Sequence, residues 1–151
     1  MSLNRKKIFE CFVSSPEDFI SGIDLIKNQL SLRVCILLQG DLAAGKTTFV
    51  QRFCQTYNIT GVVSPTFSLH QVYQNEKIKI DHFDLYRLSA SEEIETSGIW
   101  DVLAEPAGLV FIEWPGRISE SELPLSWDIL EIQLTKVTEN HRHLILSRLF
   151  S

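Results

Sequence analysis

Apolar and polar positions along the chain follow two periods, and the changes between them mark out the elements. Lys7 to Val13 reads as a short β-like run. Ser15-Pro16-Glu17-Asp18 then carries the marks of a helix start: an N-cap serine, proline at the first helical position and acids in the first turn. Phe19, Ile23, Ile26 and Leu30 extend it as an apolar stripe at helical spacing. Val34 to Leu38 is an unbroken apolar run, the pattern of a strand covered on both faces. A second helix is predicted to about Tyr57, with Phe49 and Phe53 on one face. Val62 to Pro65 leads into an alternating stretch, Thr66 to Tyr73. A polar turn at Gln74 to Lys77 and a returning stretch, Ile78 to Phe83, complete an antiparallel hairpin. Ser91 with Glu92 and Glu93 starts another helix. Leu109 to Ile112 is a second buried strand, ended by Glu113-Trp114-Pro115-Gly116. Ile129 to Val137 and His143 to Leu149 flank a polar turn, a second hairpin. The pattern is that of one α/β domain over residues 1–151, its parallel centre carrying antiparallel additions.

Composition narrows the classes. The 44% apolar share fills a core for 151 residues, and the net charge of -5 argues against a general nucleic-acid surface. Cys11, Cys35 and Cys54 are an odd number with no metal-like spacing, as expected of buried reduced thiols in a cytoplasmic protein. No signal-type segment and no membrane-length apolar run is present.

The chemistry starts at Gly40-Asp41-Leu42-Ala43-Ala44-Gly45-Lys46-Thr47, a full match to G-x-x-x-x-G-K-S/T. Its four fixed positions match by accident in roughly one chain of this length in two hundred at average glycine usage. It also follows a buried strand and opens a helix, the setting that gives the pattern meaning. Gly40 and Gly45 allow backbone angles that turn amides inward, and the helix start adds partial positive charge. Lys46 then reaches the β- and γ-phosphates and the Thr47 hydroxyl is a Mg²⁺ ligand. Gly40, Ala43, Ala44, Gly45, Lys46, Thr47 and Thr48 form the expected binding set for a Mg-nucleotide, ATP in the first instance. The matching fold is the three-layer sandwich of P-loop NTPases, its central sheet mainly parallel with antiparallel hairpin additions.

Turnover needs further groups. Glu113 ends a buried strand, and the C-terminal ends of parallel strands converge on the ligand crevice. It is the expected partner of Thr47 at the metal. Asp81 and Asp84 leave a strand and suit a metal or a water, while a turn-capping Asp84 paired with Arg87 fits equally. Thr66, in Ser64-Pro65-Thr66, fits either a γ-phosphate sensor or a plain Ser-Pro turn. Trp114 either shields the site or belongs to the core, and Trp100 and Trp127 read as packing residues. His70, His82, His141 and His143 show no ligand-like partners and read as surface or satisfied histidines.

Taken together, these stretches resemble the TsaE (YjeE-type) ATPases of tRNA threonylcarbamoyladenosine formation. The matching segments are GDLAAGKTTF at Gly40 to Phe49, SPTF at Ser64 to Phe67, DHFDLYRL at Asp81 to Leu88, EEIETSGIWDVL at Glu92 to Leu103 and FIEWPGRI at Phe111 to Ile118. The resemblance implies ATP and Mg²⁺ as cofactors, with Lys46 on phosphate and Thr47 and Glu113 on the metal. It implies that Asp84 matters for ATPase activity, that Thr66 belongs to a switch-like loop, that Trp114 lies near the nucleotide and that Ser15 lies near the base. It also implies TsaB and TsaD as partners, tRNA being reached through the complex. In that family TsaD transfers the threonylcarbamoyl group to adenosine 37 of tRNAs reading codons that begin with A. TsaE hydrolyses ATP to sustain or reset the machinery. Two positions depart from the family: Ala43 stands where glycine is usual, and Gly116 where an acid or another polar residue is common.

Three other classes compete with a partner-dependent ATPase. A small-molecule kinase needs an acceptor site and an arginine-bearing lid, and no arginine-rich segment is visible. A GTPase needs an NKxD-type reader, which is absent from the sequence. A nucleotide-gated adaptor with negligible turnover would use the same phosphate loop as an assembly switch.

Overall fold

The computed structural model describes residues 2–63, 65 and 68–151. Thr66, read as either a sensor or part of a Ser-Pro turn, lies outside the described residues, as do Ser64 and Phe67. Strand β1 (Asn4–Val13) leads through a 3₁₀ turn (Pro16–Phe19) into α1 (Ile20–Asn28). There follow β2 (Arg33–Gln39), α2 (Lys46–Gln55), the pair β3 (His70–Gln74) and β4 (Lys79–Asp84), and the short helices α3 (Ser91–Glu95) and α4 (Ile99–Leu103). Strand β5 (Gly108–Glu113) and the long hairpin β6 (Asp128–Thr138) and β7 (His141–Phe150) complete the chain.

The seven strands form one sheet in the order β1-β7-β6-β2-β5-β4-β3. The four central strands run parallel, through the β6–β2, β2–β5 and β5–β4 pairings. The three outer pairings, β1–β7, β7–β6 and β4–β3, are antiparallel. Both hairpins are where the hydrophobic pattern puts them, but the sheet is evenly mixed around a parallel core rather than mainly parallel.

The unbroken run in β2 is buried on both sides, as its composition requires. Val34, Ile36 and Leu38 face a core with α1 and α2, while Cys35 and Leu37 face a second core with α3 and α4. The stripe of α1 is used as predicted, with Phe19, Ile23 and Ile26 buried and Leu30 packed at the margin. Helix α2 is closed near Tyr57 by Asn58 in the left-handed region, where Ile59 N–H bonds the Cys54 carbonyl at 3.0 Å and Asn58 N–H the Gln55 carbonyl at 3.0 Å. Helix α4 is not separable in the sequence from the stretch that starts α3; Gly98, at φ +88°, breaks the two apart. Trp127 is a packing residue as expected, donating its indole N–H to the Leu103 carbonyl at 2.9 Å. All three cysteines are free thiols, and burial pushes Cys35 and Cys54 up to about 12. Among the described residues no helix is long and apolar enough to cross a membrane.

The N-terminal strand is pinned by charge as well as by its ladder. Arg5 forks onto the buried Glu131 carboxylate with two 2.9 Å bonds and also reaches Glu120. Removing the guanidinium strands a carboxylate inside the sheet, so Arg5→Ala should cost about 3 kcal/mol in urea unfolding. The same cluster holds the Glu120 carboxyl below its ordinary range, chiefly through its hydrogen bond with Arg5. That contribution is present above pH 4.5 and is lost as pH falls through the lower folded value, so the Arg5 variant should lose less stability than the parent on acidification below 4.5.

Candidate functional site

Strands β2, β4 and β5 end at one edge of the sheet, and the register sets their last residues side by side. Leu38 and Asp84 both pair with Glu113, from β5's two neighbours. The segment after β2 turns back at this edge to start α2, so Glu113, Asp84 and the start of α2 meet. A cleft there is lined by Lys46, Thr47, Asp84, Tyr86, Glu113 and Trp114, together with loop residues Leu42 to Gly45, Thr48 and Arg142.

The loop's glycines are required by space and by angle. A Cβ on Gly40 would lie 2.6 Å from the Leu134 carbonyl oxygen, and Gly45 sits at φ +108°. Ala43 also occupies the left-handed region, at φ +62°. That conformation costs an L-residue about 1–2 kcal/mol, and glycine adopts it freely. What holds Ala43 there is Arg142, at the start of β7. Its guanidinium donates to the Ala43 and Ala44 carbonyls, both at 3.1 Å, and to the Thr138 carbonyl at 3.0 Å. Gly116, the other departure, has open space around a would-be Cβ, so nothing in the structure demands glycine there.

Lys46 is 6% exposed. Its ammonium donates to the Gly40 carbonyl and lies 4.0 Å from the Trp114 ring centroid. Burial pushes its pKa down, opposed by the charges of Glu113, Asp84 and Asp41. Trp114 takes a left-handed backbone (φ 59°, ψ 51°) and packs against Tyr86 with ring centroids 4.9 Å apart. Trp114 therefore lines the cleft and also touches the second core.

The Thr47 hydroxyl donates to Glu113 Oε2 at 3.3 Å. Two oxygens on adjacent corners of a Mg²⁺ octahedron stand about 3 Å apart, so the pair fits two neighbouring ligands of that ion. Among the described residues no group of three or more His, Cys, Asp or Glu side chains is placed to hold a metal. A Mg²⁺ at Thr47 and Glu113 would share its coordination with phosphate and water. Asp84, 5% exposed, borders the same cleft and also caps a turn by accepting the Tyr86 amide at 3.0 Å. Asp81 does not belong to the site. Its side chain faces the other side of the sheet and is held by His70 Nε2 at 2.7 Å, because residues three apart on a strand point opposite ways.

Ser15 lines a separate cleft of about 230 Å³ on the other side of the loop, with Pro16, Phe19, Ala44, Gly45, Thr48, Glu139, Asn140 and Arg142. Asp18 orders its rim, accepting the Ser14 and Ser15 amides at 2.9 and 3.2 Å. Ala44, Gly45, Thr48 and Arg142 are common to both clefts.

Three residues at the site, Tyr86, His82 and Arg142, were not singled out by the sequence. His82 is a satisfied histidine as expected, but its partner is the site carboxylate: Nε2 lies 2.6 Å from Glu113 Oε2. Its spacing of two from Asp84 on a strand was the available signal, since it puts both on one face. Arg142 carried no local signal, because its partners at Ala43 and Ala44 are 99 and 98 positions away.

The strain at Ala43 is testable by stability alone. Ala43→Gly should raise stability by up to about 1 kcal/mol, and Ala43→Val should lower it by about 1–2 kcal/mol, measured by chemical denaturation. Equal stability of the three proteins would remove the strain.

The chain was compared with known families and structures. The profile of the family described as "Threonylcarbamoyl adenosine biosynthesis protein TsaE" matches residues 13–144. Curated proteins named tRNA threonylcarbamoyladenosine biosynthesis protein TsaE align with it. The one from Synechocystis sp. is 41% identical over 98 residues, covering 63% of this chain and 62% of the relative. The one from Rickettsia conorii is 33% identical over 132 residues, covering 86% of this chain and 73% of the relative. Among solved structures, YdiB of Bacillus subtilis superposes with a TM-score of 0.67 at 21% identity, over 99% of this chain and 89% of that one. That likeness concerns the fold, an α/β arrangement around a mixed sheet. A profile match across nearly the whole chain, with relatives above 30% identity, makes the chain a member of the TsaE family of tRNA threonylcarbamoyladenosine biosynthesis.

Proposed function

We propose that this chain is a Mg²⁺-dependent ATPase that works with TsaB and TsaD in the modification of adenosine 37, with tRNA reached through that complex. The observation that carries the proposal is the 3.3 Å contact of Thr47, at the start of the phosphate-loop helix, with Glu113, at the end of β5. It supports the arrangement of a P-loop NTPase sandwich, in which loop amides from Gly40 to Thr48 cradle phosphate and two side-chain oxygens share a metal.

In this reading Lys46 leaves the Gly40 carbonyl and the Trp114 face to reach the β- and γ-phosphates. Its partial desolvation strengthens its pull on an anion. Thr47 and Glu113 hold Mg²⁺, which when bound neutralises charge on the phosphate oxygens. Asp84 stands beside them and orients the attacking water, accepting its proton. Trp114 and Tyr86 wall the phosphate cleft and limit access of other water. The nucleotide spans the loop, its base entering the Ser15 cleft, which shares Ala44, Gly45 and Thr48 with the phosphate side. Thr66 keeps its role as the loop sensor in this reading. The protein works in the cytoplasm, where the tRNA substrate of the complex resides.

Binding and turnover separate the assigned roles. Lys46→Ala should weaken ATP binding at least about 10-fold, since it deletes the cation that meets the phosphates. Glu113→Gln should keep nucleotide binding without Mg²⁺ but lower turnover about 100-fold, a loss of about 2.7 kcal/mol of transition-state stabilisation. Phosphate release measured with and without TsaB and TsaD tests the partner requirement. Unchanged turnover of Glu113→Gln defeats the metal assignment, and no stimulation by the pair defeats the partner assignment.

A further inference from the structure

A buried side-chain chain runs away from the site into the sheet. Glu113 Oε2 receives the Thr47 hydroxyl at 3.3 Å and meets His82 Nε2 at 2.6 Å. His82 is 0% exposed and lies on β4 two residues before Glu113's own partner, Asp84, on the same face. Its other nitrogen, Nδ1, is 3.4 Å from the Tyr73 hydroxyl on β3, which donates to the Val63 carbonyl at 2.6 Å. Phe111 packs edge-on against the imidazole, with centroids 6.4 Å apart.

Hydrogen-bond roles along this chain are restricted. A carboxylate oxygen accepts only, so Nε2 carries a hydrogen and gives it to Glu113. Burial pushes the Tyr73 pKa up to about 12, so its hydroxyl keeps its proton. That single proton is directed at Val63, the shorter of the two contacts. His82 thus fixes which carboxylate lone pair remains for another ligand, while the Tyr73 ring packs against the imidazole with centroids 6.0 Å apart.

We propose that His82 is a positioning residue for the metal carboxylate, with Tyr73 on β3 packed against its ring. In this Tyr73–His82–Glu113 relay the Nε2–H bond sets the carboxylate's angle before any ion arrives, and Tyr73, bonded to the Val63 carbonyl, holds the ring by packing. The proposal rests on the reading of Glu113 as a Mg²⁺ ligand. His82 touches neither nucleotide nor metal in it.

The test uses the full-length protein, a fluorescent ATP analogue and three variants. His82→Leu keeps apolar bulk without a donor, His82→Gln places an amide N–H near the Nε2 position, and Tyr73→Phe removes the hydroxyl. Analogue affinity is measured in chelator and then across a Mg²⁺ titration. His82→Leu should leave affinity in chelator within about two-fold and raise the half-saturating Mg²⁺ at least about 10-fold, the range found when partners of metal ligands are removed. His82→Gln should restore most of that loss, and Tyr73→Phe should show a smaller shift of the same kind. Unaltered Mg²⁺ dependence in His82→Leu overturns the proposal. So does a loss that is equal with and without Mg²⁺ and not rescued by glutamine, which is what a packing role gives. If His82→Leu does not fold, the Gln and Phe variants carry the test. If the parent binds no Mg-nucleotide, the functional reading fails, and the relay is read separately from imidazole ¹⁵N shifts of the metal-free parent. Hydrogen on Nε2 is the result expected there, and a neutral ring with hydrogen on Nδ1 only overturns the relay.

Discussion

The site depends on keeping one carboxylate inside the protein. Glu113 is 3% exposed at the end of a strand that is otherwise apolar. A carboxylate buried without donors costs several kcal/mol, so the surroundings must supply them. Here Thr47 and His82 both address Oε2. One comes from the first turn of α2 and the other from β4, so satisfying Glu113 locks helix, strand and sheet edge into one geometry. The path of the phosphate loop is then constrained at both ends, by β2 where it leaves the sheet and by Thr47 where the helix starts.

Much of this was legible because it rests on local rules. The apolar runs of β2 and β5 are long enough to need cover on both faces, and the loop motif has the same strand and helix on either side in sequence and in space. Strand β4 was harder. Its Asp81, His82 and Asp84 read as a polar, half-exposed strand, yet all three are buried. They tolerate it because each has a partner on another strand or in its own turn: Asp81 with His70, His82 with Glu113, Asp84 with the Tyr86 amide. A polar strand becomes an inner strand when its polar groups satisfy neighbours, and hydrophobic periodicity contains no term for that. Arg142 was illegible for a related reason. Besides the carbonyls of its own turn, its guanidinium finds those of Ala43 and Ala44, which the β6–β2 pairing brings near and no local spacing encodes.

Two non-glycine residues in the left-handed region flank the cleft, Ala43 and Trp114. Strain of this kind persists only where surroundings over-determine it. Arg142 does so for Ala43 by holding two successive carbonyls. For Trp114 the constraint is packing, between Tyr86 on one side and the Lys46 ammonium on the other. The conformations differ in origin, but both residues line the cleft.

The two halves of the site are held with unequal strength. The Glu113 half is fixed by a short contact with His82 at 2.6 Å, of the charge-assisted kind that is about twice as strong as a neutral bond, with a longer contact from Thr47 at 3.3 Å. The Lys46 half rests on neutral partners, a backbone carbonyl and an aromatic face. A phosphate competes easily with those partners, because it offers full charge to an ammonium that burial has partly stripped of water. The acidic side of the cleft is thus assembled by the fold itself, and in the proposed function the basic side is the one that adjusts. That division suits the proposed Mg²⁺-dependent function, in which the metal's ligands would be aligned before the nucleotide arrives and the lysine would follow the phosphate.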